Sequence, residues 1–386
     1  MAITSKEIIL EYKRYLDAYK GVEDRGVDKR KAFTSSLIGR SIHIIKVYIF
    51  LFFAPKSASS LKKYIFEGYR YKDIIDLFEK KDYSVIVGLS NIFQATKKRQ
   101  HFIWGGGIIG AFELALYLDK YRYLDKIINR LNLWSNGSSR VFLFLYEDTQ
   151  PLGLVLSKIF YGSKNISTIC IAHGFYLLNP RKKEINDFWN GRRCNFNFVW
   201  SLNQKKFFNT EKTSVILLGL PYQFKIVKEV DINNIILLGH SGPEENIHDY
   251  FLTYSHMKFI YKLLKENNFS VKFKPHPQDK TAFPKNFFGD DIATDLYRQF
   301  SEGSIFVGFF SSSLYEAQKH GLHTIGLDTD LLAFDRSFMP DKSFKSEEYR
   351  DIPSYLASLS LSSNSMTSIP LKKRLHDALS AVESNV

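Results

Sequence analysis

After residue 60, short and nearly uninterrupted apolar runs alternate with helical patterns, and this alternation limits the possible folds more than any other feature. "SVIVGLS" (84–90), "HFIWG" (101–105), "RVFLFLYED" (140–148), "ISTICIAHG" (166–174), "FNFVWS" (196–201) and "SVILLG" (214–219) read as strands. They lack the polar alternation of a half-exposed strand, as expected where helices cover both faces of a parallel sheet. "GAFELALYLDKY" and "PLGLVLSKIF" between them are helical, with Pro151 suited to a first turn. The unit is βαβ.

The pattern restarts after residue 228 with "NIILLGHSG" (234–242), a long helix near 246–266 and "SVKFKPHP". A helix near 291–301, "SIFVGFF", "SSSLYEAQKHG" and the strand "HTIGL" follow. The expected fold class is α/β, with two Rossmann-like α/β domains facing each other across a cleft. Residues 1–228 form the first domain, 229–386 the second, and Gly219–Asn234 the boundary. A chain of 386 residues is long enough for two such cores. The serine-rich stretch 358–368 reads as a loop before a final helix.

Composition removes several function classes. Two cysteines, Cys170 and Cys194, cannot make a disulfide framework, and metal-ligand spacings are absent. The first 21 residues carry charges throughout what would be the apolar core of a signal peptide, so none is expected and the expected location is cytoplasmic. The net charge of +13 is concentrated at the start, where residues 1–70 hold 14 Lys/Arg against 7 Asp/Glu. Basic residues elsewhere are scattered without a recognition motif, so nucleic acid is not an expected partner.

Within that start, the basic, aromatic-rich segment 35–70 contains "SLIGRSIHIIKVYIFLFFAPK". Arg40, His43 and Lys46 recur every third residue, and the largely apolar part, Ser41–Ala54, has 14 residues. That is short of the roughly 20 that span a bilayer. Two readings stay open: a helix lying in lipid headgroups through residues 37–64, with Lys56, Lys62 and Lys63 near anionic lipid, or a buried helix of the first domain.

Ligands of open parallel sheets bind at the carboxyl ends of the strands. Those ends carry Glu147 and Asp148, His173 and Gly174, the "GHSG" turn of Gly239, His240, Ser241 and Gly242, then His276, and finally Ser311, Ser312 and Ser313. In "FKPHPQDK" His276 stands between Pro275 and Pro277, which lock φ and stiffen the tip. The three serines open a helix whose unpaired N–H groups and dipole suit a phosphate, although a serine there also serves as an N-cap. Glu316, one turn on, can accept from a ribose hydroxyl or simply lie on the helix surface. Asp148 can take a proton from an attacking hydroxyl or cap the helix at Pro151; His173 is the competing base. His276 can give a proton or hydrogen bond to a leaving phosphate. "WGGGIIG" (104–110) has no suitable partner acid for a dinucleotide, and its glycines would let a substrate approach the backbone.

An acidic pair late in the first lobe, then "KPHP", then "SSS", resembles the bacterial GT-B glycosyltransferases that use CMP-activated sugars: sialyltransferases, polysialyltransferases and capsular Kdo transferases. The resemblance covers mainly residues 140–327. It implies that Asp148 is the base, that His276 with Pro277 in the Lys274–Pro277 motif assists departure of CMP, and that Ser311–Ser313 hold its phosphate. Thr149 departs from the pattern, standing where the acidic motif usually ends in glycine. The implied reaction moves a sialic acid, or a related ulosonic acid such as Kdo, to a hydroxyl of lipopolysaccharide, O-antigen or capsule. It needs no metal or other cofactor.

Arg181, Lys182, Lys183, Arg192 and Arg193 are candidates for the donor's carboxylate or else a solvated basic face. A lipid-linked acceptor would place the enzyme at the inner face of the cytoplasmic membrane. "IAHGFY", "KPHP" and "SSS" also look like pieces of CDP-glycerol phosphotransferases, in which His173 would be the base. UDP-sugar epimerases share the two-lobed fold, and a nucleotide-sugar binding module without turnover is the reading from outside enzymology.

Overall fold

The computed structural model describes residues 3–18, 24–87, 101–136, 139–146, 150–172, 193–208, 210–227, 229–239, 247–277, 279, 281–309, 312–328, 340–359 and 369–385. The chain divides into two compact units. The first takes the residues before 175 with Arg181–Tyr222 and Pro370–Val386; the second takes Gln223–Ile369 with residues 175–180. The fold is α/β, and both units are Rossmann-like, each a parallel sheet packed with helices.

In the first unit Tyr64–Glu67 (β1), Tyr83–Val87 (β2), Phe102–Trp104 (β3), Val141–Leu145 (β4), Ile166–Ile171 (β5), Phe196–Val199 (β6) and Ser214–Leu217 (β7) form one sheet. Their order is β3-β2-β1-β4-β5-β6-β7, with every pairing parallel. Alternate side chains enter different cores. Val141, Leu143 and Leu145 of β4 join the cluster that contains Val47, Phe50, Ile108 and Phe112. Phe142 and Phe144 join the opposite cluster, where Phe144 stacks on Phe66 at 4.7 Å. Burial on both faces is why the strand runs are almost entirely apolar.

An interior strand, β1, was not among the strands expected from the sequence. It has four residues, lies just after Lys62 and Lys63, and sits inside the basic segment. Its pairing with β2 and β4 supplies what the short sequence signal lacks.

The glycines of "WGGGIIG" serve packing rather than substrate. A Cβ on Gly106 would stand 2.6 Å from the Trp104 ring, and one on Gly107 2.3 Å from Phe50 Cβ. On Gly110 it would lie 3.1 Å from the His43 carbonyl. The small residues thus let helix Gly106–Leu118 approach helix Leu37–Phe53 closely. The two readings of the basic segment divide by helix face: Gly39, His43, Val47 and Phe50 are buried, while the other side is open.

The division of units differs from the sequence expectation at both ends of the second domain. The first unit ends at Tyr222 rather than 228, and the C-terminal helix Leu371–Ser384 returns to it. Leu371, Leu375, Ala378 and Val382 complete the aromatic core cluster. Arg374 Nη1 donates to the carbonyls of Leu218 (2.9 Å) and Leu220 (2.6 Å), and Nη2 to that of Tyr222 (3.1 Å).

The second unit has Asn234–Leu238 (β8), Ser270–Lys274 (β9), Ile305–Gly308 (β10), Thr324–Asp328 (β11) and Lys342–Lys345 (β12). The order is β12-β11-β10-β8-β9, again all parallel. Strand order reverses at β8, so the topological switch point lies between β8 and β10. The long helix is Ile247–Glu266, as expected. The helix expected near 291–301 is only Leu296–Ser301, N-capped by Asp295. Before it, the backbone runs beside β9: Phe273 N–H donates to the Asp291 carbonyl and Ala293 N–H to that of Phe273, both at 2.8 Å.

Candidate functional site

One register row crosses the second sheet: Lys274 pairs with Leu238, Leu238 with Gly308, and Gly308 with Gly326. The next residues of β9, β8 and β10 therefore emerge side by side at the carboxyl edge. Neighbouring strands lie roughly 4.8 Å apart, so the tips flanking β8 are about 10 Å from each other, a span suited to a nucleotide phosphate and its sugar.

Gly239 is the tip of β8. Its N–H donates to the Lys274 carbonyl at 2.8 Å. A Cβ there would meet Phe273 Cζ at 2.8 Å, the His276 backbone nitrogen at 3.1 Å and the Lys274 carbonyl at 3.2 Å. The glycine of "GHSG" is thus required by the close passage of the Pro-His-Pro segment.

His276 is half-buried and Pro277 exposed. The stiffness expected from the prolines is reinforced downstream. Asp279 N–H donates to the His276 carbonyl at 2.9 Å. Asp279 Oδ2 accepts from the hydroxyls of Tyr250 (2.9 Å) and Tyr254 (2.5 Å), and Oδ1 from Thr281 N–H (3.1 Å) and Oγ1 (2.7 Å). Both tyrosines belong to helix Ile247–Glu266, so the histidine loop is tied to the layer that packs on the sheet. Burial, then the adjacent carboxylate, pushes the Tyr254 hydroxyl far above its ordinary range, which keeps it a donor.

Lys274 is half-buried and gives its ammonium to the Pro275 carbonyl at 2.9 Å. Burial lowers its pKa, with Asp295 opposing. A partly desolvated cation gains most from an incoming anion.

On the other side of β8, helix Ser312–Lys319 follows β10. Leu314, Tyr315 and Ala317 are buried and seat it on the sheet; Ser312, Ser313 and Glu316 are half-buried on its exposed side. The first-turn N–H groups and the dipole point positive at the sheet edge that also carries Gly239 and His276. Gly239, Lys274, His276, Pro277 and the helix start with Ser312 and Ser313 thus lie along one edge of one unit, and Glu316 stands one turn into that helix. His240, Ser241, Gly242 and Ser311 lie outside the described residues.

In the first unit the switch point lies between β1 and β4. Glu67, the last residue of β1, accepts from Tyr146 N–H at 2.9 Å. Gly68 turns the chain at φ +70°, and the Arg70 guanidinium stacks 3.6 Å above the Tyr146 ring. Tyr71 donates to the Ile171 carbonyl at 2.7 Å. Glu147, Asp148, Thr149, His173, Gly174, Arg181, Lys182, Lys183 and Arg192 lie outside the described residues. Tyr146 immediately precedes the acidic pair, so Glu67 and Arg70 hold the base of that tip. They were missed with β1; the signal was "IFEGYR", a short apolar run ended by a glycine turn.

Arg193 is a correction. It is 6% exposed and ion-paired with Glu11, which Lys158 also contacts. Held inside the first unit, it is a packing and charge-pairing residue rather than a donor-carboxylate ligand. Among the described residues, no group of three His, Cys, Asp or Glu side chains is placed to hold a metal ion.

No protein-family model matches the chain, and no curated protein matches it. Among solved structures it is similar to the UDP-GlcNAc 2-epimerase of Methanocaldococcus jannaschii, at 11% identity and a TM-score of 0.49 over 82% of this chain and 99% of that one. It is also similar to the wall teichoic acid polymerase TagF with CDPG, at 10% identity and a TM-score of 0.43, covering 97% and 91%. The pneumococcal O-GlcNAc transferase GtfA in complex with UDP and GlcNAc follows at 12% and 0.41, covering 68% and 59%. At these identities and scores the likeness carries no argument about function.

Proposed function

We propose that the chain is a metal-independent GT-B glycosyltransferase that moves a sialic acid, or a related ulosonic acid such as Kdo, from its CMP donor to a hydroxyl of a bacterial surface glycan. The observation that carries this reading is the convergence at one sheet edge of a braced His276, the Gly239 tip, Lys274 and the serine-bearing helix start.

In the scheme, Asp148 takes the proton of the acceptor hydroxyl, whose oxygen bonds to the anomeric carbon. The bond from that carbon to the phosphate oxygen breaks, and its electron pair leaves with CMP. His276 donates a hydrogen bond or proton to the departing phosphate. Lys274 and the first turn of helix Ser312–Lys319, with Ser311, Ser312 and Ser313, meet the phosphate charge. Glu316 receives a ribose hydroxyl, and the turn of Gly239, His240, Ser241 and Gly242 passes along the nucleotide. Developing charge is covered by preorganised donors, so the scheme requires no cation and no other cofactor.

The CDP-glycerol and UDP-sugar readings use the same sheet edge with a different base or no acceptor. Calorimetric titration with CMP, UDP and CDP-glycerol separates them. CMP is expected to bind at least tenfold more tightly than UDP; a preference for UDP or CDP-glycerol overturns the CMP assignment.

A further inference from the structure

Helix Leu37–Phe53 is apolar on both sides, yet only one side is packed. Gly39, His43, Val47 and Phe50 enter the core. Ile38, Ile42, Ile45, Ile49 and Phe52, at i, i+4, i+7, i+11 and i+14, form a single exposed stripe. Ile38 is 71% exposed, Phe52 75% and the adjoining Phe53 72%. The stripe contains an open groove lined by Ile45, Tyr48, Ile49, Leu51, Phe52 and Phe53. A contiguous apolar surface of this kind marks an interaction site.

Charge around the stripe selects the occupant. Residues 36–66 contain five basic side chains, Arg40, Lys46, Lys56, Lys62 and Lys63, and no Asp or Glu. A second basic row lies on the adjoining helix Tyr121–Asn132, where Arg122, Lys126 and Arg130 recur at i, i+4 and i+8. Lys126 Nζ stands 3.5 Å from the Tyr48 hydroxyl and 5.3 Å from its ring centre. Arg130 donates to the Ala54 carbonyl at 3.2 Å, and Trp134 Nε1 to that of Pro55 at 2.9 Å. These bonds hold the end of the helix, so Phe52 and Phe53 project from a fixed base. No single helix among the described residues is long and apolar enough to cross a membrane.

We infer that this face docks the first unit onto an anionic lipid bilayer, its apolar stripe lying at the headgroup boundary and its basic rows on the lipid phosphates. An aromatic and apolar stripe flanked by cations matches a surface that is apolar inside and negatively charged outside. A second copy of the chain would bring the same cations against each other and is disfavoured. The inference is independent of the proposed transfer reaction; it accords with an enzyme working at the inner face of the cytoplasmic membrane.

The test is sedimentation of the full chain with vesicles of mixed phosphatidylglycerol and phosphatidylcholine, against phosphatidylcholine alone, with light scattering for oligomeric state. Binding is expected only with the anionic vesicles and should weaken as salt rises. The exposed-residue variant Phe52→Ser/Phe53→Ser should lose at least tenfold in vesicle affinity with unchanged thermal melting. Arg122→Gln/Lys126→Gln should lose roughly fivefold per charge removed. Failure to bind anionic vesicles, equal binding by the Phe52/Phe53 variant, or a dimer dissolved by that variant overturns the inference.

Discussion

Tyr254 donates its hydroxyl to Asp279 at 2.5 Å, three residues beyond His276, and so anchors the histidine loop to the helix behind the sheet. Removing the hydroxyl in Tyr254→Phe leaves Tyr250 as a partner for the same carboxylate. The expected cost is about 1.5–3 kcal/mol in stability, from loss of one charge-assisted hydrogen bond. Asp279→Ala removes both tyrosine–carboxylate anchors, leaving the 2.7 Å bond between the Tyr250 and Thr281 hydroxyls, and should lower donor turnover more than it lowers CMP affinity. Denaturant unfolding and single-turnover kinetics of the two variants check this.

Gly239→Ala tests the close passage of β8 and the His276 segment. Its new Cβ would lie 3.1 Å from the His276 nitrogen and 3.2 Å from the Lys274 carbonyl, both backbone atoms that cannot rotate away. The tips must separate, at an expected cost of about 1–3 kcal/mol. CMP affinity should fall with stability, whereas Gly68→Ala, with nothing within 4 Å but φ +70°, should cost stability through backbone strain alone.

The contribution of His43 to stability should rise with pH between about 4 and 6.5, against an opposite contribution from Glu113, whose carboxyl burial pushes up. The His43 imidazole is buried, with Nε2 3.0 Å from Glu113 and 3.2 Å from Thr34 Oγ1. Burial, then Lys46, lowers its pKa from 6.5 to about 4. The unfolded chain therefore binds the proton first as pH falls, and the contribution present above about 6.5 is lost on the way down. His101, His256 and His320 are shifted in the same direction by burial. The informative quantity is thus the difference between the native chain and His43→Gln, whose melting temperature should depend less on pH across that window.

The strand runs were legible because burial on both faces leaves few polar positions, and the brace on His276 because proline acts through local geometry alone. Distance in sequence hid the rest. Asp279 reads as an ordinary loop acid until Tyr250 and Tyr254, more than twenty residues earlier, are seen to hold it. The glycines of "WGGGIIG" look like a ligand loop, yet the neighbours that require Gly107 and Gly110, namely His43, Lys46 and Phe50, lie on another helix. The three-residue spacing of Arg40, His43 and Lys46 does not keep them on one face: such a step drifts around a helix of 3.6 residues per turn, and the His43 side chain enters the core beside Glu113. Arg193 looked like part of a basic face because Glu11, its partner, is at the other end of the first unit's sequence.

His276→Ala should reduce donor turnover by about 10²–10⁴-fold, the range for loss of a positioned proton donor. Ser312→Ala/Ser313→Ala should instead weaken CMP binding, because those side chains sit at the helix start. Comparing calorimetric affinity with turnover separates the two roles; equal affinity losses in both variants would contradict them.

The central claim is that Asp148 is the base of a CMP-sugar transferase. The direct measurement is CMP release from CMP-N-acetylneuraminic acid and CMP-Kdo by the native chain, Asp148→Asn and His173→Ala, with CMP affinity determined for each. The account predicts native CMP affinity with turnover reduced at least a hundredfold in Asp148→Asn, and turnover largely kept in His173→Ala. Full turnover by Asp148→Asn, or its loss in His173→Ala alone, would contradict it.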